Sequence, residues 1–434
     1  MNNIRFFIVS LMLCMFVFTT CTTPIPKAHT ASQDNDTVTI PLDFFGMVHA
    51  GHKETSEEYV LLNQMGVEWI LHTFYWGDIE PEKGNFVTSS YDSRMNLAKE
   101  NNKKVIAVIG YETHYVFAQT GKRRYIPNEF LPDFLNYVEF LATHFKGKVD
   151  AWQIWNEANA LFWNGTNAEF FEMSKQAAQR IRETDPEAYI IGGGFFRVPR
   201  NFIRGMHRAG AFENLDALSF HPYAMNPRST MVLHDDFTKL LSELNFTGDV
   251  WITEAGYPTG GWYPFSVSHA NLPSHVIKTI SGAAIRGTKV LCWYEMFDHH
   301  TPEQVTSNFD SEQFFGLVYP DYSRKEGSFA YELCARYLPG SKYQIDPLQR
   351  VNVPSNIVTY CFMEGARGRN TLIIWNDRNN PQRIKISLQE PMSIHDISTG
   401  SDSILDADSI LTIRSKPVFI TWEGSSKPTI SGVR

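Results

Sequence analysis

Short apolar runs alternate with longer amphipathic stretches along the chain from residue 41 to residue 339. Residues 104–110 contain an unbroken apolar run from Val105 to Ile109, which is typical of a strand buried on both faces of a sheet. Residues 132–145 repeat their apolar positions with a helical period, and capping boxes at Thr55–Glu58 and Thr166–Glu169 predict two further helix starts. Eight strands are predicted in this way, at 42–49, 67–74, 104–110, 149–154, 189–192, 215–221, 250–254 and 290–294.

Eight strands that alternate with helices predict a parallel sheet covered by helices on both sides. This number favours a closed (β/α)8 TIM barrel over an open sheet, and we place the barrel at residues 41–339. Beyond residue 340 the pattern changes to short alternating runs separated by Gly, Asn, Asp and Pro. Residues 340–434 are therefore predicted to form a small antiparallel β-sandwich, so that the fold class is α/β with an added β domain.

Two of the predicted strands end in a glutamate. Residues 149–154 run into Asn156-Glu157, and residues 250–254 end at Glu254. In a closed parallel barrel every loop after a strand lies on the same face, so both carboxylates are expected at the barrel mouth. Aromatic residues surround the first of them, and burial among apolar rings raises the pKa of a carboxyl group, which suits a general acid.

The sequence around these glutamates resembles that of clan A glycoside hydrolases, the retaining enzymes built on this barrel. The resemblance involves Trp155-Asn-Glu-Ala-Asn159 and Trp251-Ile-Thr-Glu-Ala-Gly256, which are similar to the clan's fourth- and seventh-strand motifs. It extends to the segments 76–86 (WGDIEPEKGNF), 218–223 (LSFHPY) and 293–294 (WY). The segment that begins Phe315-Gly-Leu and continues to Tyr331 is similar to the end of the barrel in family 39 and its neighbours.

The resemblance implies a double displacement on a carbohydrate substrate, with Glu254 as nucleophile and Glu157 as acid/base. It further implies that Asn156 binds the sugar 2-hydroxyl and that His221 or Tyr223 orients Glu254. Trp293 would form the floor of the sugar site. Trp76 and Glu295 complete the predicted substrate-binding set, and Glu295 is also the alternative nucleophile.

One position departs from the clan pattern. Clan members usually carry an arginine near the end of the second barrel strand, where it helps to keep the nucleophile ionised. This chain has Ile70-Leu-His-Thr73 there. His72, or another charge, would have to take that role.

The first 21 residues resemble a bacterial lipoprotein signal, with Arg5 before an apolar run that ends at Cys21. This predicts an exported protein with a lipid on Cys21 that anchors it to a membrane, on the periplasmic side or at the cell surface; a simple cleaved signal is the alternative. Residues 22–40 are polar and rich in Pro, Ser and Thr, as expected of a tether. The net charge is −8 without a basic cluster, which argues against nucleic acid as a partner.

Two alternatives to hydrolysis stay open at this point. The chain could be a non-catalytic glycan-binding lipoprotein on the same barrel, or the same site could carry out transglycosylation. No GxGxxG follows the first strand, and no Cys/His spacing fits a metal, so no cofactor or metal is predicted. The sequence does not specify the sugar, endo or exo action, or the oligomeric state.

Overall fold

The computed structural model describes residues 37–261, 266–301, 304, 310–344, 348–365, 367–378 and 380–433. The predicted signal, Cys21 and most of the predicted tether lie outside these residues. Within the described ranges, no helix combines the length and the apolar character needed to cross a membrane.

Eight parallel strands close into a barrel, as predicted, with neighbours paired in chain order and the last strand paired to the first. The barrel strands are β2 (Phe45–Val48), β3 (Trp69–Tyr75), β4 (Lys104–Gly110), β5 (Ala151–Ile154), β6 (Ile190–Phe196), β7 (Ala217–His221), β8 (Asp249–Ala255) and β9 (Leu291–Trp293). The barrel is the TIM barrel predicted from the alternation of strands and helices.

Helices follow the strands and cover the outside of the barrel. They are α1 (Ser56–Met65), α2 (Trp76–Ile79), α3 (Ser89–Glu100), α4 (His114–Thr120), α5 (Leu131–His144), α6 (Asn167–Thr184), α7 (Arg200–Arg208), α8 (Pro227–Glu243), α9 (Leu272–Ala284) and α10 (Glu326–Tyr337). Both predicted capping residues act as N-caps, because Thr55 accepts from Glu58 N and Thr166 accepts from Glu169 N. These bonds satisfy backbone donors that the first helical turn leaves free.

Side chains alternate along each strand between the barrel interior and the helix layer. The interior cluster is Val48, Trp69, Leu71, Ile106, Val108, Ala151, Ile191, Ala217, Trp251, Val290 and Cys292. Residues one position away, such as Ile70 and Ile252, belong to the larger core between strands and helices. This period of two decides which strand-end side chains can reach the barrel mouth.

The C-terminal region consists of two sheets, in agreement with the predicted sandwich. One has the order β1-β10-β12-β13-β18-β15-β16 and the other the order β11-β19-β14-β17. The strands are β1 (Thr37–Thr39), β10 (Lys342–Gln344), β11 (Gln349–Val351), β12 (Ile357–Met363), β13 (Arg369–Asn376), β14 (Gln382–Ser387), β15 (Met392–His395), β16 (Asp402–Leu405), β17 (Asp408–Ile413), β18 (Val418–Glu423) and β19 (Thr429–Gly432). Strand pairing is antiparallel except between β11 and β19.

The N-terminal end of the described chain belongs to the C-terminal sheet. Strand β1 pairs with β10, with Thr37 opposite Gln344 and Thr39 opposite Lys342. The predicted tether therefore extends too far at its C-terminal end, since its last residues form an edge strand. Three residues of alternating Thr and Val carry too little pattern to separate such a strand from a polar linker.

Candidate active site

Glu157 reaches the barrel mouth because the backbone leaves regular strand geometry just before it. After β5 ends at Ile154, Trp155 and Glu157 adopt positive φ angles of 67° and 44°. The buried Trp155 ring anchors this turn by donating from Nε1 to the Phe162 carbonyl at 2.6 Å. The Glu157 amide donates to the carbonyl of Gly194 on β6 at 2.9 Å. Backbone conformations of this kind are costly and concentrate at functional sites.

Glu254 reaches the barrel mouth for a different reason, namely a β-bulge that adds one residue to strand β8. Ile252 pairs with Leu291 whereas Ala255 pairs with Trp293, so three steps along β8 match two along β9. Trp251 points into the barrel and Ile252 points to the helix layer. The bulge changes the alternation after them and directs Glu254 to the mouth.

His221 lies between the two glutamates. Its Nδ1 is 2.7 Å from Glu157 Oε1 and 3.5 Å from Glu254 Oε2. Its Nε2 is 3.1 Å from the hydroxyl of Thr253. Burial lowers the pKa of His221, so the ring is neutral, and we assign the Thr253 hydroxyl as donor to Nε2 and Nδ1–H as donor to Glu157. One oxygen from each glutamate and His221 Nδ1 all lie within 4.8 Å of one another.

Both glutamates have raised pKa values. Burial raises the pKa of Glu157 to about 8. Burial also raises the pKa of Glu254 to about 7, with His221 opposing the rise, Glu157 adding to it, and His49 and the Tyr223 hydrogen bond opposing it. The order of the two values fits a protonated Glu157 beside an ionised Glu254.

Tyr223 and Asn156 complete the immediate surroundings of the pair. The Tyr223 hydroxyl donates to Glu254 Oε2 at 3.0 Å, while His221 holds Glu157. Of the two residues predicted to orient Glu254, Tyr223 therefore makes the closer contact. Asn156 is partly exposed, and its side-chain amide has no hydrogen bond to any other described residue. It is free to bind a ligand hydroxyl.

Solved structures of glycoside hydrolases share this fold. A family 39 glycoside hydrolase from Bacteroides cellulosilyticus WH2 superposes with a TM-score of 0.73 at 16% identity, covering 88% of this chain and 81% of that one. A monomeric β-xylosidase from Caulobacter crescentus CB15 superposes with a TM-score of 0.65 at 13% identity, covering 90% and 98%. A family 30 endoxylanase from Clostridium papyrosolvens C71 gives 0.63 at 14% identity, covering 90% and 98%.

The chain has the fold of the family 39 glycoside hydrolases. The predicted resemblance is confirmed at this level. In sequence, endo-1,4-β-xylanase A of Phanerodontia chrysosporium is 28% identical over 125 residues. This match covers 26% of this chain and 29% of that xylanase, so the chain spans less than a third of the xylanase's length. No protein-family model matches the chain.

Trp293 does not lie where the family 39 resemblance placed it. It is fully buried between β9 and the helix layer, near Tyr257, and has no exposed face for a sugar. The next residue, Tyr294, points inward with Cys292, and its ring lies 6.3 Å from Tyr223. The aromatic residue at the site is thus Tyr294, directly after β9, and the alternation of Val290, Cys292 and Tyr294 is the signal that could have identified it.

Trp76 is also a core residue and not a substrate-binding one. It is fully buried, stacks on Tyr137 at 5.7 Å and donates from Nε1 to Glu80 Oε2 at 2.6 Å. Glu80 in turn accepts from the amide of Gly84 at 2.6 Å. The segment 76–86 therefore folds on itself as a turn beside the barrel, and its resemblance to the clan motif reflects packing.

Glu295 is covered by two histidines and does not offer its oxygens to the cleft. Its side chain is 3% exposed, with Oε2 2.5 Å from His49 Nδ1 and Oε1 3.2 Å from His299 Nε2. Burial raises its pKa, but the two histidines outweigh this effect, so the net shift is downward and Glu295 is ionised. The residue that reaches the cleft is His49, whose side chain is 46% exposed.

The sequence left open whether His72 or another charge replaces the missing arginine, and the charge that acts on Glu254 comes from His49. His72 is fully buried, and burial lowers its pKa well below the ordinary value, so it is neutral. Burial also lowers the pKa of His49, but the hydrogen bond and charge of Glu295 and the charge of Glu254 outweigh it, so the net shift is upward. Sequence reasoning missed His49 because a histidine after the first strand carries no motif.

Among the described residues, one set of three possible metal ligands lies close enough to share an ion. It is the set already described, Glu157, His221 and Glu254. In the tautomer assigned above, His221 Nδ1 donates to Glu157. This arrangement fits proton transfer between the three groups.

Proposed function

We propose that this chain is a retaining glycoside hydrolase that cleaves β-glycosidic bonds of a polysaccharide or oligosaccharide. The observation that carries the proposal is the pair Glu157 and Glu254, whose facing oxygens lie within 4.8 Å of each other at the carboxyl end of the barrel. Retaining glycosidases hold their two carboxyl groups about 5–5.5 Å apart, because the nucleophile must reach the anomeric carbon directly.

In this proposal each glutamate has one role. Glu254, held by Tyr223, attacks the anomeric carbon and forms a glycosyl ester. Glu157 protonates the leaving oxygen and then takes a proton from the water that hydrolyses the ester. His221 keeps Glu157 in place through both half-reactions, because Nδ1–H can donate to either protonation state of the carboxyl group. Asn156 binds the hydroxyl next to the anomeric centre.

A glycan panel tests the proposal, using the chain from residue 22 onward. β-Xylosides and xylans come first, since two of the structural neighbours are a β-xylosidase and an endoxylanase. We expect Glu254→Gln to lose about 10⁴-fold or more in kcat, the scale of removing a nucleophile. Glu157→Gln is expected to lose roughly 10²–10⁴-fold. The exposed Glu187→Gln is the matched control.

The results separate the alternatives. Cleavage that persists in Glu254→Gln contradicts the assigned nucleophile. A glycan that binds without being cleaved indicates a binding protein on this barrel. Products longer than the substrate at high acceptor concentration indicate transglycosylation.

We also propose that the protein is exported and held at a membrane by a lipid on Cys21. The support is the sequence alone, namely the apolar run that ends at Cys21 and the polar segment after it. Labelling with a fatty acid in the native host is expected to mark the wild type and not Cys21→Ala. An unlabelled wild type in the soluble fraction would contradict the anchor.

A further inference from the structure

Three side chains form a layered stack beside the acid/base. Tyr111, which follows strand β4, meets the Trp155 ring edge-on at 4.9 Å and stacks on Phe162 at 5.9 Å with an interplanar angle of 27°. On Phe162 lies the guanidinium of Arg124, 4.1 Å from the ring centre. Tyr75, 44% exposed and 6.0 Å from Tyr111, extends this wall along the mouth.

The stack lies within electrostatic reach of both glutamates. Burial raises the pKa of the Tyr111 hydroxyl well above its usual range, and the charges of Glu254 and Glu157 add to the rise, whereas Arg124 opposes it. One phenol thus responds to the two proposed catalytic carboxylates and to Arg124. Because Arg124 lies on the Phe162 ring and Phe162 stacks on Tyr111, the guanidinium lies on the side of Phe162 that faces away from Tyr111, at the edge of the aromatic wall.

Arg124 is held in place by backbone and carbonyl contacts, and it forms no ion pair with another described residue. Its φ angle is positive, 55°, and its backbone amide donates to Glu112 Oε2 at 2.5 Å. Nη1 of its guanidinium group donates to the Leu161 carbonyl at 3.1 Å. The ion-pair partner of Glu112 is the adjacent Arg123, at 3.7 Å. In the described part of the chain, no carboxylate lies within ion-pair distance of Arg124.

A partly buried guanidinium without a carboxylate partner is unusual, above all in a chain with a net charge of −8. Its planar set of N–H donors matches the paired oxygens of a carboxylate or a sulfate. The aromatic wall beside it supplies faces on which sugar rings can pack.

We propose that Arg124, with Tyr111 and Phe162, forms a subsite for an anionic substituent, a carboxylate or a sulfate, on the glycan next to the bond that is cleaved. This inference rests on the proposed function and names the substrate class, an acidic glycan. The competing explanation is structural, since Arg124 also ties the loop around residue 124 to the loop around residue 161.

The test compares each acidic glycan with its neutral counterpart. One pair is glucuronoxylan and the same glycan after reduction of its carboxyl groups. The other is a sulfated galactan and its desulfated form. We expect the wild type to favour at least one acidic member, and Arg124→Gln to lower kcat/KM for that member roughly 10- to 100-fold, as expected for a hydrogen bond to a charged group. The neutral member should change little.

Arg123→Gln is the matched control, because it removes the same charge from the adjacent, exposed residue. It should preserve the preference, and Arg124→Lys should restore part of it. A preference for the carboxylated glycan identifies a uronate, and one for the sulfated glycan identifies a sulfate.

Three results would overturn the subsite. Equal losses on acidic and neutral glycans in Arg124→Gln would assign Arg124 to loop anchoring. Cleavage of neutral glycans without any acidic preference would refute the subsite and leave the hydrolase standing. If nothing is cleaved, binding of the same pairs decides: an acidic preference lost in Arg124→Gln supports the subsite although the hydrolase fails, and no preference refutes it.

Discussion

At the scale of single residues, the two glutamates titrate at values that define a narrow working range. The pKa of Glu254 is about 7 and that of Glu157 about 8. Activity requires Glu254 ionised, so it falls as the pH drops through the lower value. It also requires Glu157 protonated, so it falls as the pH rises through the higher one. We expect a bell-shaped profile of kcat/KM with its maximum between these values. A flat profile from pH 5 to 9 would contradict this assignment.

Mutation of His49 is expected to shift the acid limb of the pH profile of kcat/KM. Its positive charge lowers the pKa of Glu254 and counteracts burial. In His49→Gln the pKa of Glu254 is expected to rise, so the acid limb moves to higher pH while the alkaline limb stays in place. Leaving Glu295 with His299 alone should also cost about 1–3 kcal/mol of stability.

The control for His49 is its neighbour His52, whose ring lies 5.6 Å away. Facing His49 are the ionisable groups Glu295, Glu254, Glu312, His52 and Tyr294. His52→Gln should leave the acid limb in place, because burial lowers the pKa of His52 to about 3 and the ring carries no charge. An unchanged limb in His49→Gln would assign the charge near Glu254 to another group.

The two aromatic residues at the end of β9 should respond to mutation in opposite ways. Trp293 is fully buried in the outer core, so Trp293→Ala should cost about 3–5 kcal/mol of stability. Tyr294 borders Tyr223 and His49, so Tyr294→Ala should reduce kcat/KM with a smaller loss of stability. Urea unfolding and kinetics on both variants separate the two effects. A stable but inactive Trp293→Phe would restore Trp293 as the sugar platform.

At the scale of elements, the alternation of strands and helices predicted the barrel because the strands are short and mainly apolar and the helices between them are amphipathic. Strand β4 is found at Lys104–Gly110, the range predicted for it. The short helices α2 and α4 were missed, since four and seven residues do not complete enough turns to show a period. The apolar period predicts helix α8 only from residue 235 onward, but the helix begins at Pro227, because Asn226 caps it from within a polar stretch.

The orientation of the site residues was harder to predict than their strands. Regular alternation alone would direct Glu254 to the same side as Ile252, and the bulge in β8 reverses this. Glu157 depends on two positive φ angles that neither residue type favours. The motif resemblance identified both glutamates, but these backbone irregularities arise from tertiary packing and leave no local pattern.

Gly194 supports the turn that carries Glu157, which yields a prediction for this element. Its φ is 56°, and a Cβ there would lie 2.7 Å from Gln153 Nε2 and 3.4 Å from Asn156 Oδ1. Gln153 Nε2 donates to the Trp155 carbonyl, so its displacement would shift the turn. We expect Gly194→Ala to lower kcat roughly 10- to 100-fold, the cost of a displacement near 1 Å.

Gly121→Ala is the matched control for this change. Its φ is 64°, and nothing lies within 4 Å of the added Cβ. It should cost about 1 kcal/mol of stability from the left-handed conformation alone, without a loss of kcat. Equal kinetics for the two variants would show that the turn tolerates the displacement.

At the scale of the whole molecule, the C-terminal sheets contribute core to the barrel. Alternate residues of β13 face opposite ways: Leu372 and Ile374 belong to the core between the two sheets, whereas Ile373 and Trp375 belong to the barrel core. The Lys278 ammonium on α9 lies 5.4 Å from the Trp375 ring. Strand β1 adds a link, because it precedes the barrel in sequence and pairs with β10 beyond it. Both sheet faces of β13 are therefore buried.

This arrangement predicts that the barrel does not stand alone, although the C-terminal sheets supply none of the candidate site residues. The side chains of the C-terminal sheets that share a core with the barrel helices are Val358, Phe362, Ile373, Trp375 and Phe419. Removing residues 340–434 would expose the helix side chains that they cover. Burial of one such side chain contributes about 1.5–3 kcal/mol, and a domain's entire stability is about 5–15 kcal/mol. We expect the truncated chain to lose cooperative thermal unfolding and activity together.

Ile373→Ser should lower the Tm of the full chain, whereas Ile404→Ser, at a residue 82% exposed, should not. A soluble truncated barrel with full activity would instead make the sheets an appended module, and a glycan-binding role for them would then be the better explanation.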